Sequence, residues 1–586
     1  MPSRLKSSLW WLAALAFWIL ALSPYWTNGY WVDDTLNSSI GGEAALAGTS
    51  IWGFMAKINH NWMFHDGRLY PFSWLTVYGS FFAFRPLEVL RIYQMTILVA
   101  NAALLVAVFR KLGIGQASGR VLFVLLPLFF QLRYYHDPIA SFGGLLQVEG
   151  IYFCTCALGL LSAAQARSWL PLVVGSTLFY LAFAASLLTY EVAIVFVPIY
   201  LYLLVSRASL HRALGLGIPA LAVLVAYIGI VAYLRARAPA LYTGIGFGTS
   251  NDAVVATLKQ LTAAVPLSYT AFHLRESIKT AYFGANAVAV LGLGILLLRP
   301  LLGAIAVEHP LSSRALRDAL VVSSMLIVGP ATIVGASQRY QKELKWGLGY
   351  LPVYFSAFGL AAFLTTSLSR CRAWLGSGVG ATITAALLST CTALTCAINL
   401  GIETEQDRGI RDPRIALESA LENGILNGLV DGDRLAVEPV FGWANSAFLL
   451  QHSGKRVIPA NYPDSSFTKT RPRPNSALYR LRVHSTPEGA WWATLNPMPS
   501  ARTPGGSCPE PADQVVALAL APTAPRLSWV SLDTVGGHAD GATMDQSRLQ
   551  DSWMRRMRHP SLLKARLFRF EKRGLALDAC GFALSR

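Results

Sequence analysis

Two adjacent carboxylates are the first residues in this chain that could do chemistry. Asp33 and Asp34 stand in the run WVDDTLN, directly after the first long apolar stretch. Charges so close to a hydrocarbon boundary are costly, so they usually have a task. A carboxylate at that position can take a proton from a hydroxyl or hold a metal ion; the competing reading is a solvated pair in a loop. Three further segments carry polar groups of the right kinds. QLRYYHD supplies Arg133, His136 and Asp137, and TYE places Glu191 at the edge of an apolar run, where a carboxylate needs a partner. SQRYQKELKW gathers Arg339, Lys342 and Lys345 around Tyr340. Two or three cations at a membrane edge suit a phosphate or pyrophosphate group, with contact to anionic phospholipid as the alternative.

The elements that must position these groups follow from composition. Of 586 residues, 54% are hydrophobic and only 14% are charged, and mean hydropathy is +0.43. Soluble domains carry about 25% charge, so most of this chain belongs in lipid. The 49 Lys and Arg against 32 Asp and Glu give a net charge of +17. Because these charges sit between long apolar runs, they point to headgroups or a phosphate-bearing lipid rather than to nucleic acid. No GxxxxGK[ST], HExxH or GxSxG motif occurs, which removes ATP-driven pumps and the common motif-bearing hydrolases.

Apolar runs predict about eleven spans, over 9–26, 88–109, 121–133, 145–166, 169–188, 191–206, 213–234, 281–298, 319–336, 347–368 and 375–398. The first run ends in Tyr25, Trp26, Tyr30 and Trp31, an interfacial belt rather than a cleavage site. With a cytoplasmic N-terminus, Arg110, Lys111, Arg120, Arg167, Arg207, Arg212, Arg299, Arg314, Arg317, Arg370 and Arg372 all fall inside. Asp33, Asp34 and the other polar clusters then share the outer face. Residues 1–398 form the membrane domain. Its first outer loop, 29–87, carries Ile51, Phe54, Met55, Ile58 and Trp62 at helical spacing, which predicts a surface helix. His60, His65 and Asp66 in that loop match no standard metal spacing and read as polar loop contacts.

After residue 398 the character changes: half of the 30 prolines lie beyond residue 400 and the long apolar runs stop. Residues 399–586 are expected to form a soluble α/β domain outside the membrane. Asp412-Pro413 suits a helix start, and 434–441, 477–484 and 514–521 read as strands. Cys508 and Cys580 are its only cysteines, either paired or two separate thiols. The fold class expected is an all-α polytopic membrane protein with this C-terminal domain.

The chain resembles the GT-C glycosyltransferases, polytopic enzymes that take a sugar from a polyprenyl-phosphate carrier outside the membrane. The resemblance rests on the acidic motif after the first span, the long outer loop with its helix, the number of spans and the C-terminal outer domain. HDP at 136–138 and TYE at 189–191 look like runs in bacterial members. Asp33-Asp34 departs from the Asp-Glu of the mannosyltransferases. The resemblance implies transfer from a polyprenyl-phosphate-linked sugar to a glycan, lipid or protein acceptor, in the bacterial inner membrane. It implies Asp33 or Asp34 as catalytic base and substrate or phosphate contacts at Arg133, His136, Asp137, Glu191, Arg339, Tyr340 and Lys342. It leaves open a divalent cation, Mg or Mn, at Asp33 or Asp34. The rival readings are a transporter or flippase and an outer-face polysaccharide polymerase.

Overall fold

The computed structural model describes residues 3–31, 33–133, 136–246, 248, 251–273, 281–438, 443–460, 477–485, 491–498, 514–519 and 571–573. Two compact units are present, residues 1–34 with 55–406 and residues 35–54 with 407–586.

The first unit is helical. Seven helices among the described residues are long and apolar enough to cross a membrane: Leu87–Leu112, Phe142–Ala164, Trp169–Thr189, Leu210–Arg237, Ala285–Val307, Ser313–Ala336 and the long helix that begins at Gly378. The first of these has Glu88 in its opening turn, Arg110 and Lys111 in its last, and Gly113 at φ 108° as the stop. Each charge then meets the helix dipole end that favours it. Seven is fewer than the eleven spans expected. The other four apolar runs are shortened by residues that leave the helix. Ser3–Ala21 stops before Pro24, and Gln116–Phe129 passes into a 3-10 turn at Leu126-Pro127. The 191–206 run is a 3-10 segment, Glu191–Phe196, followed by the short helix Val197–Arg207. The 347–368 run is helical only over Val353–Leu368, because Gly347 and Gly349 are left-handed and Pro352 precedes the helix. Apolarity alone does not reveal these stops.

Helices also occur between the spans. Ile51–Phe64 buries Phe54, Met55 and Ile58. Asn251–Ala264, between the spans expected at 213–234 and 281–298, buries Ala256, Gln260, Ala263 and Ala264. Cys154 and Cys156 are both buried and free.

Close helix packing depends on small residues. A Cβ at Gly159 would lie 2.7 Å from the carbonyl oxygen of Gly175, and one at Gly175 would lie 2.6 Å from that of Gly159. Backbones that approach this closely leave no room for a side chain. Gly159→Val is therefore expected to lower stability by about 1–3 kcal/mol through overpacking. Gly292→Ala, at an open helical position, is expected to leave it unchanged or raise it slightly. Thermal unfolding of the two purified variants distinguishes a packed crossing from a general intolerance of substitution.

The second unit holds a six-stranded mixed sheet made of β1 (Arg434–Glu438), β2 (Ile458–Pro459), β3 (Leu478–Ser485), β4 (Trp491–Met498), β5 (Gln514–Ala519) and β6 (Glu571–Arg573), ordered β2-β1-β3-β4-β5-β6. β1 pairs in parallel with β2 and β3, and the pairings from β3 to β6 are antiparallel. Helices Asp412–Glu422 and Ser446–Ser453 complete a core that includes Leu417, Leu421, Leu435, Val437, Phe448 and Leu481. Asp412 does not cap its helix. It continues from a π-turn at Asp407–Arg411, and its carboxylate pairs with Arg411 at 3.2 Å. Residues 35–54 group here for a visible reason: buried Arg414 donates to Thr35 O at 2.6 Å and Ser38 Oγ at 2.7 Å.

The division between the units therefore differs from a boundary at residue 398. The helix Gly378–Gln406 runs on past that point, held by Asn399, whose side chain accepts from Leu132 N at 2.8 Å and donates to Phe130 O at 2.9 Å. Cys508 and Cys580 lie outside the described residues.

Candidate active site

Asp34 is 1% exposed and opens the short helix Asp34–Asn37. Its carboxylate accepts from Phe142 N at 2.8 Å and Gly143 N at 3.5 Å. Burial pushes its pKa up to about 7, against the opposing pull of Arg91 and those two amides, with Asp33 adding to the rise. Asp33 beside it is only partly buried. A folded Asp34 thus keeps a proton between about pH 4 and 7 that the unfolded chain has released. The stability this contributes is present at low pH and is lost as pH rises through about 7. The stability difference between the native chain and Asp34→Asn should therefore fall over that interval and flatten above it. A difference that rises with pH would contradict the burial argument.

Arg91 explains how the acidic pair is held. It is fully buried within Leu87–Leu112 and donates to Asn28 O, Gly29 O, Gln94 Oε1 and Ala140 O. One guanidinium thereby ties the turn before Asp33 to the 136–144 loop. Asp137 organises that same loop from inside, accepting from Arg133 N at 3.1 Å and from Ile139 N and Ala140 N at 2.8 Å each. Burial raises its pKa to about 6. Tyr25 Oη also donates to Asp137, at 3.5 Å, so its described contacts lie in its own loop and at Tyr25.

His136 and Phe142 both sit at positive φ, 44° and 58°. Neither is glycine, so each conformation costs of the order of 1–3 kcal/mol, a cost that clusters at functional sites. Gly143 next to them has φ 59°, and a Cβ there would meet Ser80 Oγ at 2.1 Å. The His136 ring lies 5.4 Å from Phe142 and 5.7 Å, edge-on, from Tyr350. Burial keeps its pKa below the usual value, with Arg339 acting in the same direction and Asp33 and Glu343 opposing it. Asp33, Arg339 and Glu343 therefore all act on one imidazole.

Tyr350 is held from the missed helix. Gln260 accepts from Tyr350 N at 2.7 Å and donates to Tyr350 O at 2.9 Å. Its ring stacks on Tyr340 at 4.0 Å. Arg133 uses the same helix end, donating to Ala263 O at 2.8 Å, while its buried Nε and Nη1 have no partner among the described residues. Arg339 is about one-third exposed; it pairs with Glu343 at 2.9 Å and donates to Tyr242 Oη at 3.5 Å. Lys342 is exposed.

Glu191 finds its partner in Arg68, which grips it through two nitrogens. Arg68 lies over Tyr70 at 4.0 Å and Tyr242 at 4.5 Å, so Tyr242 touches both Arg68 and Arg339. The contacts thus run without a break from Asp34 through Phe142, His136, Tyr350 and Tyr340, with Arg339, Tyr242, Arg68 and Glu191 beyond. Glu191 is fully engaged by Arg68 and stands at the far end from the acidic pair. Sequence reading missed Arg68, Arg91, Gln260, Tyr242 and Tyr350. Arg91 had a signal, a charge inside an apolar run; Gln260 had one in the amphipathic stretch NDAVVATLKQLTAA.

His65 pairs with Asp66 at 3.2 Å, His60 packs on Phe64, and among the described residues no three His, Cys, Asp or Glu are grouped to hold an ion. Both oxygens of Asp34 already accept amide hydrogens.

No family model and no curated protein matches the chain. Among solved structures, it is similar to ArnT from Cupriavidus metallidurans bound to undecaprenyl phosphate, with 14% identity, 82% of this chain and 93% of that chain covered, and a TM-score of 0.42. The apo form of the same protein gives 13% identity, the same coverage and a TM-score of 0.42.

Proposed function

We propose that this protein is a membrane glycosyltransferase of the GT-C kind, moving a sugar from a polyprenyl-phosphate carrier to a glycan, lipid or protein acceptor on the outer face. The observation that supports the reading is the buried imidazole of His136, on which the charges of Asp33, Arg339 and Glu343 all act. A base to take the acceptor proton and a cation to meet the leaving phosphate are what transfer from a sugar phosphate requires.

In this reading Asp33 takes the proton from the acceptor hydroxyl as its oxygen bonds to the anomeric carbon. The bond from that carbon to the carrier phosphate breaks, and the phosphate leaves with the electron pair. Arg339 and Lys342 meet its charge, and Nε and Nη1 of Arg133, which have no partner among the described residues, offer further donors. Asp34 acts through position: it fixes Phe142 and Gly143 and so the loop bearing His136. No step is assigned to a metal.

A transporter would place ionisable groups near mid-span. Of the buried carboxylates within the described spans, Glu149 and Asp318 lie in the first two turns of their helices and bind Ser186 and Arg207, and Glu403 lies in the last turn of Gly378–Gln406 and accepts from Thr27. This favours the enzyme.

The test is transfer from a polyprenyl-phosphate sugar by the purified protein or in cells lacking it. Arg339→Ala should weaken use of the carrier by more than about tenfold, as loss of a charged phosphate contact does, at normal protein level. An unchanged dependence on carrier concentration would move the phosphate elsewhere. Absence of transfer with every carrier sugar tried, while the protein remains folded, would overturn the assignment.

A further inference from the structure

A second basic site lies at the opposite helix ends. Lys111, Arg207, His309 and Arg314 line a cavity of about 500 Å³. Three connections build it: the turn after Leu87–Leu112, the end of Val197–Arg207, and the segment leading into Ser313–Ala336. The last helix runs from this cavity to Ser337 beside Arg339, and its 24 residues span about 36 Å. The cavity is therefore separate from the candidate active site.

We propose that this cavity binds a phosphate group, either the headgroup of an anionic lipid or a free phosphate. Its charge balance is the first reason. Glu308 is the one carboxylate in the lining, and its oxygens already accept from Ala117 N at 2.5 Å and Ser118 Oγ at 3.2 Å. Arg207 gives one nitrogen to Asp318 and to Leu112 O, while its Nε is buried with no partner among the described residues. Arg314 reaches Ser206 O, and Lys111 is exposed. Lys111 and Arg314 have no carboxylate to neutralise them among the described ion pairs.

The shape is the second reason. Leu311, Ser312, Arg314 and Ala315 line the cavity at the N-terminal end of a long helix, whose first turn Ser312 caps by accepting from Ala315 N at 3.1 Å. That end carries partial positive charge. The turn opposite is packed tightly. A Cβ on Gly115 would meet Glu308 at 2.2 Å, and Gly113, at φ 108°, would bring one to 2.9 Å from Ala315. Cations scattered on a flat cytoplasmic face would satisfy the positive-inside rule without such a concavity.

The experiment uses the full-length protein in detergent. Native mass spectrometry reads retention of phosphatidylglycerol against phosphatidylcholine, and thermal unfolding reads the response to inorganic phosphate. Lys111→Ala with Arg314→Ala should weaken phosphatidylglycerol or phosphate binding at least about tenfold. Arg167→Ala with Arg370→Ala removes two exposed cations from the same end outside the cavity and should change neither. Leu210–Arg237 and Asp318 are left untouched, so the spans keep their packing. Binding of phosphatidylglycerol that inorganic phosphate does not displace identifies a lipid headgroup. A phosphate-induced rise in unfolding temperature that the cavity variant abolishes identifies free phosphate. If both double variants lose binding equally, or neither does, the cavity is not a phosphate site.

Discussion

Replacing Asp33 by Asn should lower sugar transfer about 10²–10⁴-fold, the usual loss when a general base is removed. The substitution keeps the size of the side chain, so the turn it occupies and the membrane helices should be unaffected. Protein level and unfolding temperature are expected to match the native chain. Asp34→Asn should behave differently. Its amide oxygen can still accept from Phe142 N, but its nitrogen cannot accept from Gly143 N, which leaves a buried donor unsatisfied. Loss of order in the 136–144 loop should then accompany any loss of activity. The two variants therefore separate chemistry from positioning: Asp33→Asn lowers turnover alone, while Asp34→Asn lowers turnover and stability together. Normal transfer by both single variants and by the double variant would remove the acidic pair from the mechanism.

The acidic pair, the 136–137 loop and the Arg339 segment could be recognised in the sequence because each interrupts or borders an apolar run with charge. A charge next to hydrocarbon stands out by its cost alone. That their charges act on one imidazole, His136, could not be read that way, since Asp33 and Arg339 are about 300 residues apart in the chain. Nor could the supports be found from composition. Gln260 matters because it pairs both backbone groups of Tyr350, a contact with no local signature. Arg133 and Asp137 looked alike as polar residues in one short run. Their partners distinguish them: Asp137 accepts from its own loop, and Arg133 has two nitrogens with no partner among the described residues. The span count erred for a related reason. Pro24, Pro127, Gly347, Gly349 and Pro352 change backbone direction without lowering the apolarity that a window measures.

The pair formed by Arg68 and Glu191 should dominate the stability of its end of the first unit. Each side chain is 13% exposed, and the two meet through two nitrogens and both carboxylate oxygens. Removing one partner from such a pair leaves the other charged and desolvated, which costs about 3–5 kcal/mol. Arg68→Ala should show that loss in thermal unfolding, because Glu191 stays behind among Tyr70, Tyr190 and Tyr242. Glu191→Ala should do the same from the other side, leaving the guanidinium with only the faces of Tyr70 and Tyr242. Arg68→Leu combined with Glu191→Leu removes both charges and should recover most of the stability, since an apolar pair of similar volume needs no desolvation. The double variant should still bind the carrier less well. Tyr242 touches Arg68 at one side and Arg339 at the other, so losing the cation that holds its ring frees the hydroxyl that Arg339 uses. A double-mutant cycle measures the coupling directly. If Arg68→Ala unfolds at the native temperature, the pair is solvated and the aromatic enclosure does not isolate it. If the double variant is as unstable as the single ones, the aromatic contacts rather than the charges hold this end together.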